Sequence, residues 1–478
     1  MKLSELIYKN EAIKYNATGD EIIERVTADA RDCDEGTLLL VTESTKRFIK
    51  DINPRGILLC EGDFSPKDDT SFVSVKNPRA AVSYACARLY GYKNREMLMI
   101  GVTGTNGKTS TASLIRHALE ADGYKVGFIG TGMIDSAGER ISDKYYSMTT
   151  PDPWVLFPAL KKFREDGCRA VVMEVSSHAL ALEKVAPIDF DYGVFTNLSP
   201  EHMDFHKNMD AYLSAKEKLL KRSDTAVINL DDYYGRLLYD RRESRKISVG
   251  VLYRGDVYAT HVEDHGFDGI EYMYRTEGYN FTMRLNLAGI HNVYNSMLAT
   301  AVATDIGVRP CVVREALGEL DSVCGRFEII KGDITVIIDY AHTDRAMDTL
   351  LSQIKRSEPC RVLHTVFGCG GERDRSKRPR MAAVAEKYSD TVTVTCDNSR
   401  REPTENIIGD VIRGFSQISP RVIPDRAEAI RRAVLEASAG DTVVLVGKGA
   451  ERYMICGEEY SDFDEREIVR AALEERRK

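Results

Sequence analysis

The sequence predicts an α/β protein built from three domains. From Met97 onward, apolar strand-like runs alternate with helical stretches, which argues for mainly parallel sheets wrapped by helices. Several of those runs break into glycine-bearing or charged loops, the place where such sheets bind ligands. The length of 478 residues fits about three ordinary domains. The predicted division is a small N-terminal α/β domain over 1–96, a central parallel-sheet domain over 97–324 and a C-terminal doubly wound domain over 325–478.

The elements follow in chain order. Strands are predicted at Thr37–Val41 and Gly56–Cys60 and a helix at Arg79–Leu89, completing the first unit. Met97 opens the second, with strands at Val126–Ile129, Ala170–Val175, Gly193–Thr196 and Ala226–Asn229. A strand-rich insertion covers about Gly250–Leu287, and the helix His291–Ile306 closes the domain. The third unit starts near Gly325. Its strands are Val336–Ile338, Val362–Phe367, Thr391–Thr395 and Thr442–Val446, each followed by a polar or glycine-bearing loop, a Rossmann-like pattern. The charged run Asp464–Lys478 reads as a surface helix.

Bulk properties narrow the function. A formal net charge of −8 argues against nucleic acid or an anionic membrane as partner. The N-terminus has no apolar signal-peptide core, and no run is apolar for long enough to span a bilayer, so a cytoplasmic location is expected. The ten cysteines include no Cys-x-x-Cys pair, so neither a zinc site nor a disulfide framework is expected.

The strongest chemical signal is the segment Met97–Ser110. A buried strand breaks into Gly104-Thr105-Asn106-Gly107, and Lys108-Thr109-Ser110 open a helix. Such a turn aims backbone N–H groups and a helix N-terminus at one point, which suits a phosphate chain. Lys108 can reach terminal phosphates and the Thr109 hydroxyl can ligate Mg²⁺, so a P-loop ATPase-like domain binding a nucleoside triphosphate is expected. Position 102 is Val where a strict Walker loop has its first glycine, which makes this the tighter Gly104–Thr109 form.

Other segments are ambiguous by themselves. Glu174 ends an apolar strand, where a carboxylate can take a divalent cation or simply cap a helix. His202 follows another strand in a polar loop and reads equally as structural or as a ligand. Lys216 lies on an amphipathic helix, where a lysine is ordinarily solvated. Asp339 could accept from ribose hydroxyls, and Arg326 could offset charge on a transferring phosphoryl group. The glycines and cations of 367–379, and the segments Asp397–Arg400 and Gly447–Glu451, all follow apolar strands.

Taken together, these segments resemble the Mur ligases, ATP-dependent amide-forming enzymes of peptidoglycan precursor synthesis. The resemblance covers about Met97 to Ser461. Within the family it is nearest the MurE, or tripeptide-synthetase, branch, through Met148–Pro151, Glu174–His178, Phe195–Ser199, His291–Asn295 and Asp397–Arg400. It implies a set of roles. Lys216 falls on a lysine carried as a carbamate that ligates Mg²⁺. Thr109, Glu174 and His202 fall on metal- and phosphate-binding positions. Asn292 and Arg326 match ATP contacts, and Asp339 and His342 match the nucleotide segment of the third domain. Thr149, Thr150, Ser177 and Lys184 fall where a UDP-linked peptide is held, with lysine at 184 where arginine is usual.

The resemblance also implies a reaction. A substrate carboxylate attacks the γ-phosphoryl group of ATP, and the amine of an incoming amino acid then displaces phosphate from the acyl phosphate. The expected small molecules are ATP, Mg²⁺, a UDP-linked muramoyl dipeptide and an amino acid, handled by a monomer. Arg373, Asp397, Asn398, Arg400, Gly447 and Glu451 match positions that hold the amino acid. Arg400 favours meso-diaminopimelate, because lysine would leave it without a carboxylate. Against this, Ala450 stands where histidine is common. Two departures lie in the first domain: Ala30 replaces a serine in the segment resembling the uridine-side grip, and the loop at 42–49 is shortened. A lysine-adding ligase and a Mur-like ligase for a non-cell-wall acyl substrate are the alternative readings.

Overall fold

The computed structural model describes residues 1–8, 11–42, 46, 56–62, 70–141, 148–357 and 361–477. These residues form an α/β structure that divides into two compact units. One contains Met1–Lys108, Leu119–Ser142 and Tyr146–Val249, and the other contains Thr109–Ala118 and Gly250–Lys478.

The first unit opens with strands β1 (Ala12–Asn16), β2 (Arg25–Thr27), β3 (Thr37–Leu40), β4 (Ile57–Glu61) and β5 (Phe72–Val75), in the sheet order β1-β5-β4-β3-β2. All neighbours run parallel except β1 and β5. The interior strands are continuous apolar runs, as strands covered on both faces must be. The following helix, Pro78–Leu89, starts on a proline and is capped by the Asn77 side chain accepting from Ala80 N–H. Ser83 on that helix donates to the Glu183 carbonyl at 2.7 Å, tying it to the larger sheet of the same unit.

That sheet is built on β6 (Leu98–Thr103), β7 (Val126–Gly130), β8 (Met133–Ser136), β9 (Glu139–Arg140), β10 (Ala170–Glu174), β11 (Phe190–Phe195), β12 (Ser223–Asn229) and β13 (Lys246–Gly250), in the order β13-β12-β11-β6-β10-β7-β8-β9. Strand β6 is central and pairs in parallel with β10 on one side and β11 on the other. The register opposes Glu174 to Val102 and Phe195 to Thr103, so the loops after all three strands leave the same edge. The sequence pattern correctly placed the apolar strands. It missed β13 and the pair β8 and β9, a short antiparallel edge of mixed polarity.

Gly101 explains how one helix reaches this edge. A Cβ there would lie 2.7 Å from Leu219 Cδ1 and 2.9 Å from Phe190 Cε1. The missing side chain therefore lets the helix Met209–Lys221 settle directly on β6. Lys216 lies about one turn before Leu219 on that helix.

The second unit contains the antiparallel strands β14 (Val257–Asp264), β15 (Ile270–Arg275) and β16 (Asn280–Leu285), with the helix Ile290–Ile306. It also holds β17 (Glu328–Lys331), β18 (Thr335–Asp339), β19 (Leu363–Phe367), β20 (Thr391–Val394), β21 (Arg421–Val422) and β22 (Thr442–Val446), ordered β17-β18-β22-β19-β20-β21, and the hairpin β23 (Tyr453–Cys456) and β24 (Glu459–Asp462). Pairing is parallel from β18 to β21, with helices over both faces of the sheet. Among the described residues, no helix is long and apolar enough to cross a membrane.

One buried ion pair braces the loop ends of this sheet. Arg426 and Glu465 side chains are both fully buried and meet at 2.7 Å. Arg426 also donates to the carbonyls of Cys396 and Val446, at the ends of β20 and β22. Glu465→Gln would leave the guanidinium buried without its carboxylate. A loss of about 3–5 kcal/mol is expected, the cost of breaking a buried pair from one side. Urea unfolding of the two proteins measures it, and a change under about 1 kcal/mol would contradict the assignment.

Candidate active site

The phosphate-loop residues sit at the end of the central strand. Gly104 has φ +155° and Gly107 has φ +82°, backbone conformations that suit glycine. A Cβ at Gly104 would come within 1.8 Å of Thr196 Oγ1, so glycine is required by space as well. The loop is clamped by the segment after β11. Thr105 N–H donates to Asn197 O at 2.9 Å, Asn106 N–H to Asn197 Oδ1 at 3.0 Å, and Thr196 Oγ1 to Asn106 O at 2.6 Å. Lys108 begins the helix Lys108–Ala121, and its Nζ donates to the carbonyls of Gly104 and Thr105 at 3.0 and 2.9 Å. Thr109 and Ser110 follow in the first turn of that helix.

Lys216 is not solvated. It is 1% exposed, and its Nζ donates to the same Gly104 carbonyl at 2.7 Å. Burial, with the Lys108 ammonium second, pushes its pKa well below the ordinary lysine value. A buried amine that readily stays neutral is the form that can take up carbon dioxide to become a carbamate.

Glu174, fully buried at the end of β10, accepts at Oε1 from Thr131 N–H at 2.9 Å and at Oε2 from Thr131 Oγ1 at 3.3 Å. Gly130 leaves it room, since a Cβ there would lie 2.5 Å from Oε1. Thr149 bonds Thr131 Oγ1 at 3.2 Å. Thr150 donates to the Glu174 carbonyl and accepts from Ser176 N–H, both at 2.9 Å. The segment 148–150 is thus fastened to the end of β10. Lys184 is 7% exposed and meets Asp152 at 2.8 Å.

Beside Glu174, Ser177 bonds the His206 ring at 2.9 Å. His202 takes a left-handed backbone at φ +57°, and its ring lies 4.8 Å from that of His178. His206 stacks on Tyr212 at 4.8 Å, and Lys216 Nζ lies 4.6 Å from the Tyr212 ring centroid. Burial lowers the pKa of His178, His202 and His206, that of His178 to about 4, which favours the neutral rings. Sequence reasoning identified His202 but missed its companions His178 and His206, as well as Tyr212, Thr131 and Asn197. The run His178, His202, His206, following β10 and β11, was the available signal.

Ala30 begins a short 3₁₀ turn capped by Asp29. It is buried with Leu39, Val41, Leu58, Cys60 and Phe72, so its methyl belongs to an apolar cluster and offers no polar group. The shortened loop at 42–49 lies outside the described residues except for Thr42 and Lys46.

In the second unit, Asn292 and Asn295 are buried on the helix Ile290–Ile306 and bonded to each other at 3.0 Å. Arg326 Nη2 donates to Thr109 Oγ1 at 3.0 Å, and the guanidinium lies over the Tyr340 ring at 4.4 Å. Asp339, at the end of β18, accepts from Phe327 and Ala341 N–H, both at 2.7 Å. Burial raises its pKa. His342 Nδ1 lies 3.1 Å from Tyr340 O, and Lys377 donates to the His342 carbonyl.

The loops after β19, β20 and β22 meet. Arg373 is exposed on the first. Arg400 holds φ +52°, is anchored through its backbone to Ile455 and Gly457, and donates from Nη1 to Gly371 O at 2.9 Å. Gly447, at φ +121°, leads into the buried Lys448, whose Nζ lies 3.1 Å from Glu451 Oε2 and 3.2 Å from Asn398 Oδ1. Asn398 Nδ2 donates to Glu451 at 2.8 Å, and Asp397 lies 3.6 Å from Lys448. The sequence reading had marked Arg373, Asp397, Asn398, Arg400, Gly447 and Glu451; it included Lys448 in the segment 447–451 but gave it no role.

A strand-end phosphate loop with a buried lysine beside it, and a second sheet whose loops gather cations and carboxylates, describe a nucleotide-dependent ligase. The Mur ligase middle-domain profile matches residues 102–303, and the profile described as Mur ligase, glutamate ligase domain matches 325–449. The chain belongs to the Mur ligase family. It is 35% identical over 487 residues to the UDP-N-acetylmuramoyl-L-alanyl-D-glutamate–2,6-diaminopimelate ligase of Clostridioides difficile strain 630, covering 99% of each chain. A solved structure of a ligase of that same name superposes with a TM-score of 0.67 at 26% identity, covering 100% of this chain and 99% of the other. MurF from Thermotoga maritima, solved in complex with ADP, shares the fold at a TM-score of 0.58 and 17% identity, covering 96% of this chain and 98% of its own.

Proposed function

We propose that this chain is an ATP-dependent ligase that joins meso-diaminopimelate to UDP-N-acetylmuramoyl-L-alanyl-D-glutamate in the cytoplasm, acting as a monomer. The observation that carries the reading is Lys216, a buried amine held on the same carbonyl as Lys108 at the edge of the phosphate loop. The full-length likeness to ligases of that name supports the substrate assignment. The proposed division of labour follows the three segments 1–96, 97–324 and 325–478, for the nucleotide-linked acceptor, ATP and the amino acid respectively.

The chain's own groups suit the chemistry. N–H groups of the 104–110 loop and Lys108 would bind the phosphates of ATP and offset the charge that develops as the acceptor carboxylate attacks the γ-phosphorus. Thr149, Thr150, Ser177 and Lys184 would hold that acceptor. Arg326, Asn292, Asp339 and His342 would hold the nucleotide. The amine of the amino acid then attacks the acyl carbon and phosphate leaves.

Among the described residues, no group of three or more His, Cys, Asp and Glu side chains could hold a metal by itself. The residues that would hold Mg²⁺ are Thr109, Glu174, His202 and Lys216 as its carbamate. Hard oxygen donors from a hydroxyl, a carboxylate and a carbamate fit this cation. When bound, Mg²⁺ would neutralise phosphate charge. Lys216→Ala is expected to lose on the order of 10²–10³-fold in kcat and to regain part of it with added short-chain carboxylate. Retention of full ADP formation by a folded Lys216→Ala protein would contradict the carbamate role.

The test of the reaction is phosphate release assayed with each substrate omitted in turn. Release should require ATP, the UDP-linked dipeptide and the amino acid together. Release that ignores the UDP-linked acceptor would overturn the assignment.

A further inference from the structure

Lys448 is the one charged residue of the segments 397–400 and 447–451 that the amino-acid site outlined above leaves without a role. Its side chain is fully buried, an expensive place for an ammonium unless it is paired. Glycines on both sides, at φ +121° and +53°, turn the chain so that it points inward. The ammonium lies 3.1 Å from Glu451, 3.2 Å from Asn398 Oδ1 and 3.6 Å from Asp397, with the Tyr453 and Phe463 rings at 5.5 and 5.9 Å. Asn398 completes the link. Its Oδ1 also accepts from Ile455 N–H at 3.0 Å, its Nδ2 donates to Glu451 at 2.8 Å, and its carbonyl accepts from Gly371 N–H at 2.9 Å. One cation therefore bridges the loops after β20 and β22, and Asn398 carries that bridge to the loop after β19.

We infer that Lys448 is a positioning residue for the amino-acid site: its ammonium holds the buried Glu451 and Asp397 and fixes Asn398, so that Glu451 and Arg400 are in place before the amino acid arrives. This rests on the proposed function, since it assumes that these loops hold the amino acid. Lys448 is buried against Glu451 and Asn398, so it acts through these neighbours. Preorganisation of this kind lowers the cost of binding.

The experiment has a substrate-free arm and a kinetic arm. Lys448→Met removes the ammonium and keeps the apolar stem. Its thermal midpoint should fall, and the double variant Lys448→Met/Glu451→Gln should recover part of that fall, because the stranded carboxylate has gone. No recovery would overturn the Lys448–Glu451 link, whatever the substrate is. In the kinetic arm, Lys448→Met should raise KM for meso-diaminopimelate about tenfold or more while leaving KM for ATP and for the UDP-linked acceptor within twofold. Lys448→Arg, which keeps the charge, should fall between. An unchanged KM for the amino acid, or an equal rise for all three substrates, would overturn the positioning role. If the unmutated protein does not use diaminopimelate, the substrate reading fails, and the melting arm still decides the Lys448–Glu451 pairing.

Discussion

Lys108→Ala should fold normally and lose ATP-dependent ligation by about 10²–10³-fold or more in kcat. Among the proposed site residues, Lys108 alone combines a place in the 104–110 loop with a positive side chain. Its Nζ donates to two loop carbonyls, Gly104 O and Thr105 O, in the hydrogen bonds described above. Those bonds are local and partly solvated, so their loss costs little stability. The loop's shape comes instead from Gly104, Gly107 and the clamp by Thr196 and Asn197. What the variant loses is charge opposite a phosphoryl group in transit, and a single electrostatic donor of that kind is typically worth such a factor. Circular dichroism and the thermal midpoint check the fold, and ADP formation measures the rate. Normal turnover by a folded Lys108→Ala protein would remove the nucleotide assignment from this loop.

The second large effect is on the choice of amino acid. Arg400→Ala is expected to lower kcat/KM for meso-diaminopimelate about a hundredfold, a cost of about 2–4 kcal/mol, while changing the much lower value for L-lysine by less than about threefold. Arg400 is placed by its backbone, which accepts from Gly457 N–H and donates to Ile455 O, so truncating the side chain leaves the loop seated. Among the described residues, the guanidinium donates to the carbonyls of Gly371 at 2.9 Å and Asn398 at 3.4 Å and pairs with no carboxylate. A substrate carboxylate is the stronger partner. Diaminopimelate ends in both a carboxylate and an ammonium, which Arg400 and Glu451 can each take, whereas lysine offers only the ammonium. Equal losses for the two amino acids would show that Arg400 does not read the distal carboxylate.

How far the sequence disclosed this site depended on the kind of signal each residue leaves. The Gly104–Lys108 loop was readable because strand, turn and helix N-terminus each carry a local signature, and the central strands were readable because parallel strands are continuous apolar runs. Glu174 was undecidable from spacing. Its burial and its bonds to Thr131 follow from the register of β10 between β6 and β7, a long-range fact. Lys216 has the sequence context of a solvated surface lysine. It is buried because Gly101, 115 positions earlier, lets its helix lie against β6, and only the family resemblance marked it beforehand. The hairpins β8–β9 and β23–β24 were missed because short edge strands of mixed polarity carry no clean alternation. Lys448 lay inside the marked segment 447–451 but drew no role, because only the folded loops show it turned inward onto Glu451 and Asn398.

The central claim is that this ligase extends a UDP-linked muramoyl dipeptide with diaminopimelate. The most direct measurement is a competition: the protein, ATP, Mg²⁺ and UDP-N-acetylmuramoyl-L-alanyl-D-glutamate with equal concentrations of meso-diaminopimelate and L-lysine, the nucleotide-linked product being read by its mass. The account predicts the diaminopimelate tripeptide in roughly hundredfold excess. A product carrying mainly lysine, or no nucleotide-linked product from either amino acid while ATP is consumed, would contradict it.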